Sequence, residues 1–240
     1  MHKRIIVLSA LVALFALPSC DTLQAIAKDV MTEPSLSEVG QGLKDALGKG
    51  VNKGVSELSV RDGFLKSAYK ILLPEEAQRV SAQLRSVPGF VNLESELLER
   101  INRGAEEAAK EAGPIFMSAI KQMTFDDAMK ILMGADNSAT EYLRRTTSQQ
   151  LYDKFKPIIG RSLDQVGLNN LWRNAADTYN KIPLINRKVG NDMSDYVTNE
   201  ALKGLFGKIT EEEKNIRRNK GARNTDLLRK VFAKQDANRK

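Results

Sequence analysis

Apolar residues recur every three or four positions from Leu36 to Leu58 of this 240-residue chain. Because about 3.6 residues complete one helical turn, this spacing places them on one face of an α-helix. Beside that face, small residues occupy every fourth position: Gly42, Ala46, Gly50 and Gly54. Small side chains at this spacing let another helix approach closely. We therefore expect a long helix that packs tightly inside a helical domain. Self-association or lipid insertion is the alternative, and the charged residues in the stretch disfavour insertion.

The rest of the chain repeats the helical pattern and shows no period-two strand pattern. Its dominant residue types, Ala, Leu, Lys, Glu, Arg and Gln, also favour helix. Start and stop signals predict helices at about 35–58, 74–86, 92–112, 114–123, 124–133, 138–157, 161–180, 192–208, 210–219 and 225–235. Pro157 is expected to bend or interrupt its helix. The prediction is one all-α domain of about eight to ten helices at residues 35–235, without a sheet, followed by a disordered basic tail at 236–240.

The first nineteen residues have the pattern of an export signal. A basic start, residues 2–4, precedes an apolar run at residues 5–17, which is shorter than the roughly 20 residues of a membrane-spanning helix. The run ends in the sequence LPSC, which resembles the lipobox of bacterial lipoproteins, and Cys20 is the only cysteine of the chain. The resemblance implies cleavage before Cys20, acylation of Cys20 and a tether at residues 20–34. An ordinary cleaved signal with a chance cysteine is the alternative.

The histidine and cysteine content excludes several chemistries. The only histidine, His2, lies in the signal, and Cys20 is the predicted lipid attachment site. The mature chain then lacks the groups for Ser-His-Asp or Cys-His catalysis, for His or Cys zinc sites and for haem ligation through His or Cys. No phosphate-binding loop motif occurs. We therefore expect no cofactor, no metal and no catalytic residue. A carboxylate-dependent hydrolase acting on envelope glycan stays open, because a glycosidase needs only two carboxylates.

The carboxylates of the chain have simple structural interpretations. Four aspartates stand at predicted helix starts, where they suit the capping positions and the positive end of the helix: Asp126, Asp127, Asp192 and Asp195. Three glutamates fall near basic residues on one helix, which predicts a solvated charged face: Glu106, Glu107 and Glu111.

The C-terminal region is strongly basic, because residues 214–240 contain ten Lys and Arg against two Asp. Its last helix carries an apolar strip made of Leu227, Leu228, Val231 and Phe232. The strip either packs on the domain or lies on an anionic membrane surface. In the second case the contacting residues would be Arg217, Arg218, Lys220, Arg223, Arg229 and Lys230. Nucleic acid is not expected as a partner of an exported, lipid-anchored protein.

The densest polar stretch, ATEYLRRTTSQQLYDKFKP at 139–157, separates into scaffold and candidate site. Glu141 and Arg145 fall one turn apart on the predicted exposed face and form an expected surface ion pair. Arg144 lies at the border of the apolar face, where its stem would be covered and its guanidinium would need a partner. We therefore predict Arg144 as a binding residue, accompanied by Tyr142 and Thr140.

Several segments, in this order, resemble domain-of-unknown-function family 4197: GLKDALGKGV, MTFDDAMKILMGADNSATEYLRRTTSQQLYDKFKPII, VGL, DYVTNEALKGLFGKITEEEKNIRRN and LLRKVF. The likeness covers about residues 36–233. It implies a bacterial, exported, helical protein and transfers no activity or catalytic residue. Together with Cys20, it predicts a lipid-anchored protein of the bacterial cell envelope with a non-enzymatic binding or scaffolding role. The expected partners are the lipid bilayer, through acylated Cys20, and a protein or envelope polymer.

Overall fold

Helices and short connections account for the part of the chain that the computed structural model describes, which is residues 35–183, 185, 187–190 and 192–238. The α-helices are α1 Leu36–Leu58, α2 Glu75–Leu84, α3 Leu93–Ala109, α4 Ala112–Gln122, α5 Phe125–Met133, α6 Ser138–Gln165, α7 Leu168–Asn180, α8 Ser194–Arg218 and α9 Asp226–Asn238. A 3-10 helix spans Lys220–Ala222. The described residues contain no strand and belong to one compact unit. The all-α class is confirmed. The predicted signal, tether and Cys20 lie outside the described residues.

Helix α1 packs against five other helices, α3, α4, α5, α8 and α9. It begins with a capping box in which Ser35 and Glu38 satisfy each other's backbone N–H groups. Its small residues face other helices closely: a Cβ atom built on Gly42 would lie 2.7 Å from Val231 of α9, and one on Gly54 would lie 3.4 Å from Lys208 of α8. The small-residue face therefore serves packing inside the domain.

Helix α6 does not end at Pro157 but continues to Gln165. A proline inside a helix removes one N–H donor, here the one that would bond the Asp153 carbonyl. Pro157 lies on the exposed side, where water can hydrate that carbonyl, and α6 is held on other sides by α3, α4 and α8. The predicted helix 161–180 is instead divided at Gly167, whose φ of +69° suits glycine.

Helix α8 is one continuous helix where the sequence predicted two. Thr210 was expected to begin a second helix, but its hydroxyl donates a hydrogen bond of 2.9 Å to the carbonyl of Phe206 within the same helix. The acidic residues that follow it do not cap the start of a helix at Thr210, because α8 is continuous there. They bind lysines, an arginine and the N-terminus of a distant helix.

Helix α9 packs on α1 with Leu228, Val231 and Phe232 buried. It extends to Asn238, which is beyond the predicted helix end at 235 and into the predicted tail. Asp236 lies within this helix and pairs with Arg223. The apolar strip of α9 is therefore part of the core.

Candidate functional site

A surface groove of about 330 Å³ lies between α6 and α8. Both helices are long and pack side by side, so that residues one turn apart on each line a shared furrow. The lining consists of Arg144, Ser148, Gln149 and Tyr152 from α6 with Asn199, Leu202, Lys203 and Phe206 from α8. We call this furrow the Arg144 groove. It contains the one predicted binding residue that remains at the surface.

The guanidinium of Arg144 lies over the ring of Phe206, with Cζ 4.6 Å from the ring centroid. Phe206 is itself buried and packs edge-on against Phe116, with centroids 5.6 Å apart. The Nε atom of Arg144 is 3.5 Å from Glu141, and the side chain is 43% exposed. Among the described residues, none accepts a hydrogen bond from this guanidinium. Arg144 is thus supported by a buried aromatic ring, and its guanidinium keeps N–H donors that form no hydrogen bond with the described residues.

The neighbouring polar residues take different positions from those predicted. Glu141 pairs with Arg144 rather than with Arg145, whose guanidinium lies 5.7 Å from the Tyr142 ring. Tyr142 is buried, and burial raises the pKa of its hydroxyl. Thr140 is fully buried and donates a hydrogen bond to Glu213. Neither Tyr142 nor Thr140 lines the Arg144 groove.

The groove is bordered at one end by Tyr152, Lys156 and Asp195. Asp195 accepts hydrogen bonds from the Tyr152 hydroxyl and, at 2.8 Å, from Lys156. The hydrogen bond to Asp195 raises the pKa of Lys156, and the same contact lowers the pKa of Asp195. Asp195 lies in the first turn of α8, as predicted, and it also ties α8 to α6. Asp192 precedes α8 and accepts a hydrogen bond of 2.7 Å from the backbone N–H of Ser194, the first residue of that helix.

Sequence reasoning missed most of the groove. Ser148 and Tyr152 follow Arg144 at intervals of four, and this spacing could have placed them on the same helical face. No comparable pattern connects α6 with Asn199 and Lys203, because their proximity depends on how α8 packs against α6.

Three carboxylates are buried among the described residues, and the first is Glu106. It accepts hydrogen bonds from the backbone N–H groups of Phe64 and Leu65, at 3.2 and 3.3 Å, and pairs with Arg103. The prediction of a solvated face is therefore wrong for Glu106, because the turn that precedes α2 covers it. Glu107 and Glu111 are exposed, as predicted.

The other two buried carboxylates are Glu212 and Glu213 of α8. Glu213 accepts hydrogen bonds of 2.9 and 2.8 Å from the N–H groups of Ala139 and Thr140, in the first turn of α6. A carboxylate there satisfies free donors and the positive helix end. Glu212 lies 2.8 Å from Lys53 and 3.3 Å from Lys208. All three buried carboxylates therefore hold the fold together.

The six predicted membrane-surface residues are distributed between core and surface. Arg217 and Arg223 are buried, so this fold gives them no face toward a bilayer. Arg217 donates to the carbonyls of Ile131 and Leu132, and Arg223 pairs with Asp236. Lys230 is mostly covered and pairs with Glu38. The other three are exposed, each near an aspartate: Arg218, Lys220 and Arg229.

The described part of the chain also lacks two further classes of feature, a metal-binding cluster and a membrane-spanning helix. It contains no group of three or more Asp, Glu, His or Cys residues arranged to hold a metal ion. None of its helices combines the length and apolar character needed to cross a bilayer.

A comparison with family models found one match, described as "Protein of unknown function (DUF4197)", over residues 33–233. No curated protein and no solved structure matches the chain.

Proposed function

The chain belongs to the DUF4197 family of proteins of unknown function, and from that premise we propose that it is a lipid-anchored protein of the bacterial envelope that binds a partner without catalysing a reaction. The single observation that best supports a role without catalysis is the state of the buried carboxylates. In enzymes that rely on carboxylates, at least two acidic groups must be free to exchange protons or attack substrate. Here each buried carboxylate is held by backbone donors or cations.

The anchor is supported by the sequence before the domain. Residues 2–20 combine a basic start, an apolar run and a terminal Leu-Pro-Ser-Cys. One acyl chain gives only marginal membrane binding, whereas two or more hold a protein firmly, since each buried methylene contributes about 0.8 kcal/mol. A multiply acylated Cys20 would therefore keep the helical domain beside the membrane.

Metabolic labelling with a clickable palmitate analogue tests the anchor. We expect the wild-type protein to carry the label and the Cys20→Ala variant to lose it and to leave the membrane fraction. Label that persists on Cys20→Ala would refute the lipid anchor, although a binding role for the domain would survive.

Site-specific photocrosslinking in cells tests the binding role. A photoreactive amino acid replaces Ser148, which is half-buried and lines the Arg144 groove, and in a second strain it replaces Glu94, which is exposed on α3 outside the groove lining. We expect a discrete adduct from position 148 and none from position 94. Equal adducts from both positions, or none from either, would contradict partner binding at this groove.

A further inference from the structure

The lining of the Arg144 groove contains two cations and no carboxylate. Arg144 and Lys203 carry the charge, and the rest of the lining is uncharged. Three other surface grooves differ in this respect. Each of them has two carboxylates in its lining: Glu107 and Glu111 in the first, Glu111 and Asp153 in the second, and Glu75 and Glu200 in the third. The lining of the Arg144 groove therefore offers cationic donors to an anionic ligand and places no carboxylate against it.

The buried ring of Phe206 supports the guanidinium of Arg144, whose Cζ lies 4.6 Å from the ring centroid. The N–H donors of a guanidinium lie in the plane of the group in a fixed fork. A planar fork held in this way matches the two oxygens of a carboxylate with two parallel hydrogen bonds. Because the ring restricts the orientation in advance, less conformational entropy is lost when the ligand binds.

The size of the positive charge favours a monoanion. Arg144 is 3.5 Å from Glu141, and Lys203 is 3.4 Å from Glu200, so each cation is already shared with a carboxylate at the rim. The remaining positive potential is modest. A carboxylate with one negative charge fits it better than a phosphate, which carries up to two.

Two amide side chains flank the cations and have unused hydrogen-bonding groups. Gln149 donates one N–H to Asp153 at 2.8 Å, and Asn199 donates one to the carbonyl of Asp195 at 2.9 Å. Each NH₂ group has a second donor, and each amide oxygen can accept. These groups complement the N–H and C=O of a peptide bond, so the groove has partners for the chain that carries the anion.

We propose that the Arg144 groove binds an acidic peptide segment, with one ligand carboxylate on the Arg144 guanidinium and adjacent peptide groups on Gln149 and Asn199. This inference names the ligand class of the proposed binding function and rests on it. The aromatic support, the free donors and the absence of a carboxylate from the lining all lead to the same ligand chemistry.

Fluorescence anisotropy with two end-capped peptides tests the proposal on the full-length protein purified in detergent. The labelled probes are Ala-Ala-Glu-Ala-Ala and its Gln counterpart. We expect the Glu peptide to bind about tenfold tighter, as a charge-assisted bidentate contact allows. Arg144→Gln should remove that preference. Arg145→Gln is the matched control, because it removes the neighbouring arginine on the same helix, outside the groove lining, and should keep it.

Four results would overturn the proposal: equal binding of the two peptides, equal effects of the two arginine variants, a preference that survives Arg144→Gln, or displacement of the Glu peptide by inorganic phosphate at lower concentration than by acetate. Circular dichroism of both arginine variants serves as the control for correct folding. Failure of the peptide titration while position 148 still crosslinks in cells would refute the acidic-peptide ligand alone. Loss of the crosslink as well would refute the proposed binding function.

Discussion

The Nε atom of Arg217 donates a hydrogen bond of 2.9 Å to Oε1 of Glu213, one turn away on α8, and the two side chains are only 1% and 4% exposed. The pair also joins three helices. Glu213 accepts from the first turn of α6, and Arg217 donates to carbonyls in the last turn of α5. Each charge therefore has several partners, as a buried ion pair needs if desolvation is not to dominate.

Replacing Glu213 by Gln should strongly destabilise the domain. The change leaves the Arg217 charge buried without its counterion and weakens the acceptor for the α6 backbone donors. Removing one partner of a buried pair costs about 3–5 kcal/mol. Urea unfolding followed by circular dichroism measures the loss. Glu94→Gln is the control, because Glu94 is exposed and should change the free energy of unfolding by less than about 0.5 kcal/mol. Similar losses in both variants would contradict this role for Glu213.

The two kinds of helix cap show how far the sequence could predict the structure. Ser35 with Glu38 caps α1, and Thr124 with Asp127 caps α5, and each pair lies three residues apart. Such local caps are visible in sequence. The carboxylate of Glu213 caps α6 from more than seventy residues away. Its local context, after Thr210, has the pattern of a helix start, and only tertiary packing overrides that pattern.

The same reasoning applies to the candidate site. The helical spacing of apolar residues in α6 was enough to predict that Arg144 lies at the border of the apolar face. Its support by Phe206 and its neighbour Lys203 depend on the packing of α8 against α6, which no local pattern encodes. The solvent exposure of Glu106 was predicted wrongly for a similar reason, because the turn that covers its side chain is distant in the chain.

Two glycines of α1 should respond to alanine in opposite ways. A Cβ on Gly42 would meet buried Val231 at 2.7 Å, whereas a Cβ on Gly40 finds its nearest neighbour, Phe125, at 3.9 Å. Gly40→Ala should stabilise the domain by up to about 1 kcal/mol through helix propensity. Gly42→Ala gains the same propensity but overpacks a stiff side chain, which costs about 1–3 kcal/mol. We expect a net loss, and thermal unfolding of the two variants measures the contrast.

A second-site change checks the cause of the Gly42→Ala effect. Val231→Ala alone should destabilise the domain, because it leaves a cavity. In the Gly42→Ala background the same change should cost clearly less, because the new methyl group occupies part of that space. If the free-energy changes of the two substitutions are strictly additive, the contact with Val231 is not the cause of the stability loss in Gly42→Ala.

Acid should remove the contribution of the α1 capping box. Hydrogen bonds from the side chain and backbone of Ser35, with help from Lys230, lower the pKa of Glu38 from 4.5 to about 2. Because the pKa is depressed in the folded state, the contribution to stability is fully present above pH 4.5 and is lost as the pH falls toward about 2. An NMR titration of the Glu38 carboxyl should give a midpoint near 2. In Ser35→Ala the midpoint should rise toward 4.5, and an unchanged midpoint would contradict this cause.

Two basic residues of the C-terminal region contact the same aspartate, one in the core and one at the surface. Replacing each in turn distinguishes a structural role of this region from a surface role. Arg223 is buried and lies 2.7 Å from Asp236, whereas Lys220 is 80% exposed and lies 3.8 Å from the same carboxylate. Arg223→Gln should destabilise the attachment of α9 by about 3 kcal/mol, because the bidentate contact and the bonds to the end of α8 are weakened. Lys220→Gln should cost less than about 0.5 kcal/mol, as an exposed pair does.

Hydrogen exchange of the α9 amides measures this difference directly. Faster exchange in Arg223→Gln, with wild-type rates in Lys220→Gln, is the expected result, and equal rates in the two variants would contradict it. The contrast between buried and exposed basic residues also determines which variant can test membrane binding by this region.

Deleting residues 214–240 would remove buried Arg217 and Phe232 and disturb the core. Replacing exposed Arg218, Lys220 and Arg229 by Gln keeps the core intact, so any change in binding to anionic vesicles would then report on surface charge alone.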